Sequence, residues 1–354
     1  MINYNEEYWN DVKQVINNIP LKEKLYGKTV LITGATGMIC SSIVDILVYL
    51  NRYEQAKIKI ILAGRNAKRT SDRFYYTKND EYTFVQYDAT DDKDININSD
   101  YIIYGASNAN PKMYTAEPVE TMLANLIGLN RMLEMSAKNK VIRLLYISSS
   151  EVYGNIDEVR PRKETDYGYV DILNMRASYP CAKRAAEALC VAYTNEYELN
   201  TVIARPGHIY GPSITSSDTR ATAEFTRNVA NNEDIVMKSK GNQLRSYCYT
   251  LDCASAILTI LLGGKNGDAY NISNRDSVCT ISDIARELAK VSSKKVIYQM
   301  ATSEESKGFN LMTDSSLDGE KLEGLGWKAE FNLEQGTYLS LIHISEPTRQ
   351  EAIS

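Results

Sequence analysis

From Lys28 to Pro206, short apolar runs alternate with stretches of helical periodicity, and that alternation leaves the chain few folds to choose from. The runs are TVLIT (29–33), IKIILAG (58–64), YTFVQYD (82–88), DYIIYGAS (100–107), RLLYISSS (143–150) and NTVIARP (200–206). Parallel strands need crossover connections, and helices in those connections cover both faces of the sheet, so this pattern indicates a parallel, doubly wound sheet. The connecting segments at 40–52, 117–138 and about 179–197 read as helices. Residues 5–19 place Tyr8, Trp9, Val12, Val15, Ile16 and Ile19 at near-helical spacing, an amphipathic N-terminal helix expected to pack rather than to carry chemistry.

After Pro206 the regularity breaks into a Gly/Ser/Thr-rich loop, GHIYGPSITSSDTR, and then into mixed elements. The expected fold class is therefore α/β, a Rossmann-like doubly wound parallel sheet with a smaller C-terminal substrate-binding subdomain. The expected division is a helix over 1–23, a dinucleotide-binding part over 24–205 and 246–275, and a substrate-binding part over 206–245 and 276–338. The tail LSLIHISEPTR (339–349) resembles the translation of a transposon-end adaptor used in sequencing libraries, so 339–354 is expected to be non-native. Setting His343 aside leaves His208 as the only histidine, which removes most histidine-based metal or triad chemistry.

With 354 residues, 44% hydrophobic, and a formal net charge of −5, the chain can bury a large core. The acidic balance argues against nucleic acid, which needs a concentrated basic face. No apolar run approaches the ~20 residues of a membrane span. The N-terminus, MINYNEEYWN, does not read as a signal peptide, and a cytoplasmic location is expected. The six cysteines include no C-x-x-C pair, so reduced thiols are expected and no metal.

The first run leads directly into TGATGMICSS, with Gly34 and Gly37 at a strand-to-helix turn. Glycines there let the backbone approach a pyrophosphate, which the N–H groups at the helix start then hold. Cys40 stands where a third glycine usually serves close helix–strand packing. Thr36, Met38 and Ile39 of the same turn, Ala89, and Ser107 ending the fourth run complete the expected dinucleotide site. At the end of the second run, where an NAD site normally offers an acid to the adenosine ribose, the chain has Gly64 and Arg65. Arg65 either meets adenine or a 2′-phosphate or is a solvated surface arginine, so NADP stays open beside NAD. Asp88 is either a contact for the adenine edge or a loop cap.

In SYPCAKRAAEALC, Tyr179 and Lys183 are spaced i, i+4 and so share a helix face, and Pro180 fits the first turn. A nearby cation favours ionisation of a phenol, so the ammonium is expected to make Tyr179 a usable base near neutral pH. Upstream, ISSSEVYG ends an apolar strand with three hydroxyls and a carboxylate, where a parallel sheet presents reactive groups. Ser149, beside Ser150, is placed to bond the same substrate hydroxyl as Tyr179, and Glu151 to take a proton from carbon.

Through TGATGMI, SSSEVYG, YPCAK, ARPGHIYGP, LRSYCYTLD, AYNIS and KLEGLGW, residues 27–338 resemble the extended short-chain dehydrogenase/reductases that modify nucleotide sugars. The resemblance implies hydride transfer between a sugar carbon and NAD(P), served by Tyr179, Lys183 and Ser149, with Lys183 also on the nicotinamide ribose. It implies Arg245, assisted by Arg220, on the nucleotide diphosphate of the substrate. His208 stands where many relatives carry asparagine and is expected to face the substrate. Helices 117–138 and 179–197 correspond to those that pair across a dimer in relatives, so a homodimer is expected.

The triplet Ser149-Ser150-Glu151 lines up with the T-S-E of UDP-glucuronate decarboxylases and of GDP-mannose 4,6-dehydratases. The run from Tyr167 to Tyr193 is most similar to the decarboxylase branch. Against that, decarboxylases carry an arginine near the C-terminal segment for the sugar carboxylate, whereas KGFNLMTDSSLDGEKL has only Lys307 nearby. Decarboxylation, dehydration and epimerisation therefore stay open as the second step, with a catalytically silent NAD(P)-binding sensor or scaffold as the reading from another class.

Overall fold

The six apolar runs become β1 (Thr29–Thr33), β2 (Lys59–Gly64), β3 (Thr83–Gln86), β4 (Tyr101–Tyr104), β5 (Arg143–Ile147) and β6 (Thr201–Pro206). In the computed structural model, which describes residues 2–78, 80–91, 93, 95–214, 218–302 and 312–344, they lie parallel in one sheet. Its order runs from a seventh strand, Ala269–Ile272, through β6, β5, β4, β1 and β2 to β3. The inner strands read as unbroken apolar runs because both of their faces are covered. Successive side chains of β1 show this: Val30 and Ile32 pack with Ile43 and Leu47, while Leu31 packs on the other side with Ile102, Leu129 and Leu133.

The covering helices are α1 (Glu6–Asn17), α2 (Met38–Tyr53), α3 (Ala67–Arg73), α4 (Pro111–Ala116), α5 (Pro118–Lys138) and α6 (Ser178–Tyr197). Asn5 caps α1, whose apolar stripe of Tyr8, Val12, Val15 and Ile16 is fully buried. The helix is anchored by more than apolar contact. The Asp45 carboxylate, buried in α2, accepts from Tyr8 at 2.6 Å and Tyr76 at 2.5 Å and lies 3.7 Å from the Arg73 guanidinium.

Beyond Pro206 come β7 (His208–Tyr210), α7 (Ala221–Ala230), β8 (Ile235–Met237), β9 (Leu244–Tyr249), α8 (Thr250–Gly263), β10 (Ala269–Ile272, the seventh strand), β11 (Val278–Thr280), α9 (Ile281–Val291), β12 (Val296–Tyr298) and β13 (Asp314–Ser315). β9 is the hub of a second sheet, parallel to β7 and β13 and antiparallel to β11, while β8 and β12 form a separate parallel pair. The boundary placed at 245/246 from sequence runs through β9, whereas α8 returns to the large sheet beside α2.

The C-terminal helix, Leu333–Ile342, starts at an Asn332/Gln335 capping box and runs without a break through position 339. Leu339 is buried, His343 Nε2 meets Asp11 at 2.6 Å, and Ile344 bridges Ile2. The apolar LSLI extends the helical pattern that precedes it, so residues 339–344 pack whatever their origin. Residues 345–354, the rest of the adaptor-like tail, lie outside the described residues, as does Lys307.

Candidate active site

β1 pairs with β2 on one side and with β4 on the other. Strand order reverses at that point, and a crevice opens beyond the carboxyl ends of β1 and β4. Two glycines shape it. Gly34 has φ +66°, and a Cβ there would lie 2.6 Å from the Gly105 carbonyl oxygen, so no other residue fits without moving the chain. Gly37 is the N-cap of α2 and no side chain bonds the first-turn N–H groups, which are thus presented to the crevice. Uncapped donors at the start of a long helix, with backbone held close by glycine, fit the pyrophosphate of a dinucleotide. Cys40 is tolerated at the third-glycine position because the facing residue is small: a Cβ on Gly105 would lie 2.5 Å from Cys40 Sγ. Thr33 Oγ1 ties the two strand ends together, accepting from Gly105 N at 3.0 Å and Ala106 N at 3.1 Å.

Two adjoining cavities, of about 540 and about 620 Å³, share Gly34, Gly37, Arg65, Arg69 and Ser107 in their walls. The smaller takes in Thr36, Asp88 and Ala89, and the larger takes in Met38 and Ile39. Every residue expected at the dinucleotide site therefore borders one of them. Asp88 acts as a loop cap, its Oδ1 accepting from Thr90 N at 2.9 Å and Thr90 Oγ1 at 2.8 Å, while lining the cavity wall. Ser107 accepts from Asn125 Nδ2 at 2.9 Å. Arg65 is exposed at the mouth beside Arg69, which sequence reading did not single out because it lies on the first turn of α3 with no motif around it.

At the far end of the larger cavity α6 begins. A 3-10 turn, Met175–Ala177, capped by Asn174, runs straight into it and sets Tyr179 in its first turn. Lys183, one turn on, donates to the Ile147 carbonyl at 2.7 Å, and its Nζ lies 4.7 Å from the Tyr146 ring centre and 5.6 Å from that of Tyr179. Ser149 Oγ accepts from Glu151 N at 3.2 Å, and the hydroxyl is near enough to the Tyr179 phenol to lower its pKa. Ser149, Ser150, Glu151, Tyr179 and Lys183 all line the same cavity.

The electrostatics correct one expectation. Burial pushes the Tyr179 phenol up to about 12, against the hydrogen bond from Ser149 and the charges of Arg220 and Arg176. Lys183 ranks below these groups in its effect on the phenol. The reason is placement: the ammonium points at the end of β5 and lies against ring faces, and burial brings Lys183 itself down to about 7. The i, i+4 spacing brings the pair together, but it does not by itself ionise the phenol.

The substrate-side residues come from the second half of the chain. His208, at the start of β7, lies edge-on to Tyr247, and its Nδ1 is buried without a partner among the described residues. Burial and then the Arg245 and Arg220 charges bring it down to about 3, so it is neutral at physiological pH. Arg245 is 2% exposed and donates to the Leu244 carbonyl at 2.8 Å. Arg220 is held by the Asp218 carboxylate at 2.5–3.1 Å, which more than offsets the effect of burial and raises its pKa.

Two residues beside Tyr179 and Glu151 were missed as well. Arg176 grips Glu151 with both terminal nitrogens, at 2.7 and 3.0 Å. Tyr114, from α4, accepts from Arg176 at 3.3 Å and stacks on Tyr179, with centroids 4.9 Å apart and planes 13° from parallel. Arg176 sits three residues before Tyr179, yet nothing in local spacing indicates that it meets a strand-end carboxylate 25 positions upstream.

Residues 30–273 match the model of the NAD dependent epimerase/dehydratase family. The chain belongs to this family. It is an NAD-dependent enzyme of the nucleotide-sugar epimerase/dehydratase class, and NAD is its cofactor. Over 308 residues it is 28% identical to UDP-glucuronic acid decarboxylase 6 of Arabidopsis thaliana, covering 87% of this chain and 86% of that protein. The dTDP-glucose 4,6-dehydratase of Bacillus anthracis, solved with NAD, shares the fold at TM-score 0.73 and 20% identity over 92% of this chain and 98% of that one. A UDP-glucuronic acid 4-epimerase variant from Bacillus cereus, solved with NAD and UDP-4-deoxy-4-fluoro-glucuronic acid, does so at TM-score 0.74 and 20% identity over 89% and 98%.

Proposed function

We propose that this enzyme transiently oxidises a hydroxyl of a nucleotide-diphosphate sugar and then transforms the keto sugar, with decarboxylation of UDP-glucuronate as the best single assignment. What carries the reading is the convergence of Ser149, Glu151, Tyr179 and Lys183 on one cavity that adjoins the glycine-shaped helix start. The curated relative named above, a UDP-glucuronic acid decarboxylase matched over most of both chains, supports the choice of sugar.

Gly34, Thr36, Gly37, Met38 and Ile39 hold the dinucleotide at the start of α2, with Arg65, Asp88, Ala89 and Ser107 along the cleft. NAD bound there supplies the hydride acceptor for a sugar carbinol. Tyr179, as the phenolate, takes the hydroxyl proton and becomes the phenol, while Ser149 orients that hydroxyl and bonds the phenolate before the transfer. Lys183, anchored on Ile147, holds the nicotinamide ribose, and its charge favours the phenolate that accepts the proton. Glu151, with Ser150 beside it, handles a proton at carbon in the second step. Arg245 and Arg220 meet the substrate diphosphate, for which a bidentate guanidinium is suited. Neutral His208 offers one donor and one acceptor to the sugar.

The same proposal divides the chain into a dinucleotide-binding part (24–205 and 246–275) and a sugar-binding part (206–245 and 276–338), with 339–354 appended. It places the enzyme in the cytoplasm, feeding activated sugars to polysaccharide synthesis. No described helix is long and apolar enough to cross a membrane. It also makes the enzyme a homodimer: Val119, Met122, Leu123 and Ile127 form an exposed apolar stripe along α5, beside α6.

The test is to incubate the protein with UDP-glucuronate, UDP-glucose, UDP-GlcNAc, GDP-mannose and dTDP-glucose and to weigh the products. Loss of carbon dioxide from UDP-glucuronate is the expected result. Loss of water from another sugar would move the enzyme to the dehydratases, and an isomer of unchanged mass to the epimerases.

A further inference from the structure

Glu151 is not offered to the cavity as a lone carboxylate. Arg176 holds it bidentately, and the pair is only partly shielded, with side chains 20% and 16% exposed. Three other cations of the cavity are engaged differently. Arg220 is held by Asp218, Arg245 donates to the Leu244 carbonyl and Lys183 to the Ile147 carbonyl. Arg176 is the cation whose counter-charge is the proton-handling group itself. Its Nε is buried without a hydrogen-bond partner among the described residues, so one donor of the guanidinium is still unspent there. Its guanidinium lies 5.8 Å from the centre of the Tyr114 ring, and that ring stacks on Tyr179. A group bound to Arg176 is therefore one ring's breadth from the phenol, the reach of an exocyclic substituent when a neighbouring ring hydroxyl faces Tyr179.

We propose that Arg176 recognises a carboxylate on the sugar, and that the Glu151–Arg176 pair is a latch this carboxylate opens by taking Glu151's place on the guanidinium. A uronate exchanges one charge-assisted pair for another and frees Glu151 at the moment the sugar is seated. A neutral hexose offers no replacement, because leaving a partly buried Arg176 and Glu151 both unpaired is costly. The inference rests on the sugar-oxidising reading of the site and narrows it to anionic sugars. It also supplies a carboxylate partner where the segment KGFNLMTDSSLDGEKL has no arginine.

The test is calorimetric binding of UDP-glucuronate and of UDP-glucose to the NAD-loaded full-length protein, as wild type, Arg176→Gln and Glu151→Gln. Arg176→Gln should weaken UDP-glucuronate about 10- to 100-fold, the scale of a lost charge-assisted bond, and leave UDP-glucose within about twofold. Glu151→Gln should act in the opposite direction, tightening UDP-glucuronate several-fold by removing the competing carboxylate while leaving UDP-glucose unchanged. Equal weakening of both sugars by Arg176→Gln would overturn the proposal, as would a Glu151→Gln protein with an unaltered preference. The Glu151→Gln arm stands even where Arg176→Gln does not fold. Wild-type product analysis separates the two readings. Products formed without the shift in preference refute the latch alone, and the shift without any product refutes the catalytic reading while leaving the carboxylate site.

Discussion

Lys183→Met should stabilise the fold at acidic pH and do so less as the pH rises. Burial lowers the Lys183 ammonium from its ordinary 10.5 to about 7, with Glu187, Cys40 and Cys190 opposing. At about 1.4 kcal/mol per pH unit, that displacement corresponds to about 5 kcal/mol. The folded value lies below the unfolded one, so between the two the unfolded chain binds the extra proton and stability rises with pH. The destabilisation is thus complete below about pH 7 and fades as the pH approaches 10.5. Methionine keeps the unbranched apolar stem and removes the charge. It also forfeits the bond to the Ile147 carbonyl, at a cost of about 1 kcal/mol that does not vary with pH. Integrating the two titrations, the advantage of the variant over wild type should shrink by about 3 kcal/mol between pH 6 and pH 9. Urea unfolding of the NAD-free proteins at four pH values across that range measures it. A stability difference that stays constant with pH would show that the lysine titrates alike in both states and would refute the reasoning.

Three further outcomes follow. Tyr179→Phe should lower turnover by about 10²- to 10⁴-fold with little change in thermal stability, because it removes one hydroxyl from a cavity and keeps the ring that stacks on Tyr114; product mass and a thermal melt report the two effects. Gly34→Ala should abolish retention of NAD, since its methyl group would meet the Gly105 carbonyl at 2.6 Å on a backbone with φ +66°; the dinucleotide released on denaturation measures it. Leu123→Glu, 39% exposed on the α5 stripe, should turn a dimer into a monomer by light scattering, and an unchanged mass would move the interface elsewhere.

The parallel sheet could be read from the chain because strands buried on both faces must be apolar throughout, which distinguishes them from the helices between them. All six runs became strands, and helices expected at 40–52, 117–138 and about 179–197 appear as Met38–Tyr53, Pro118–Lys138 and Ser178–Tyr197. The seventh strand, Ala269–Ile272, escaped because only four residues of it pair and its neighbours give no periodic frame. The residues that line the cavities were legible for a related reason. A glycine turn after β1, hydroxyls after β5 and a Y-x-x-x-K in the first turns of a helix are local patterns, and a parallel sheet brings strand ends to one edge.

The sequence by itself therefore determined the six apolar strands, the helices between them that were expected, and the glycines, hydroxyls and Y-x-x-x-K pair at the crevice, since these depend on spacing within a few residues. The tertiary structure alone decided what those side chains are to one another. Lys183 turns to Ile147 and loses affinity for its proton, Cys40 finds room because Gly105 faces it, and Glu151 meets Arg176 across 25 positions of chain. Charge, burial and close approach are set by neighbours in space, and no one-dimensional pattern encodes the distance between residues that only folding brings together.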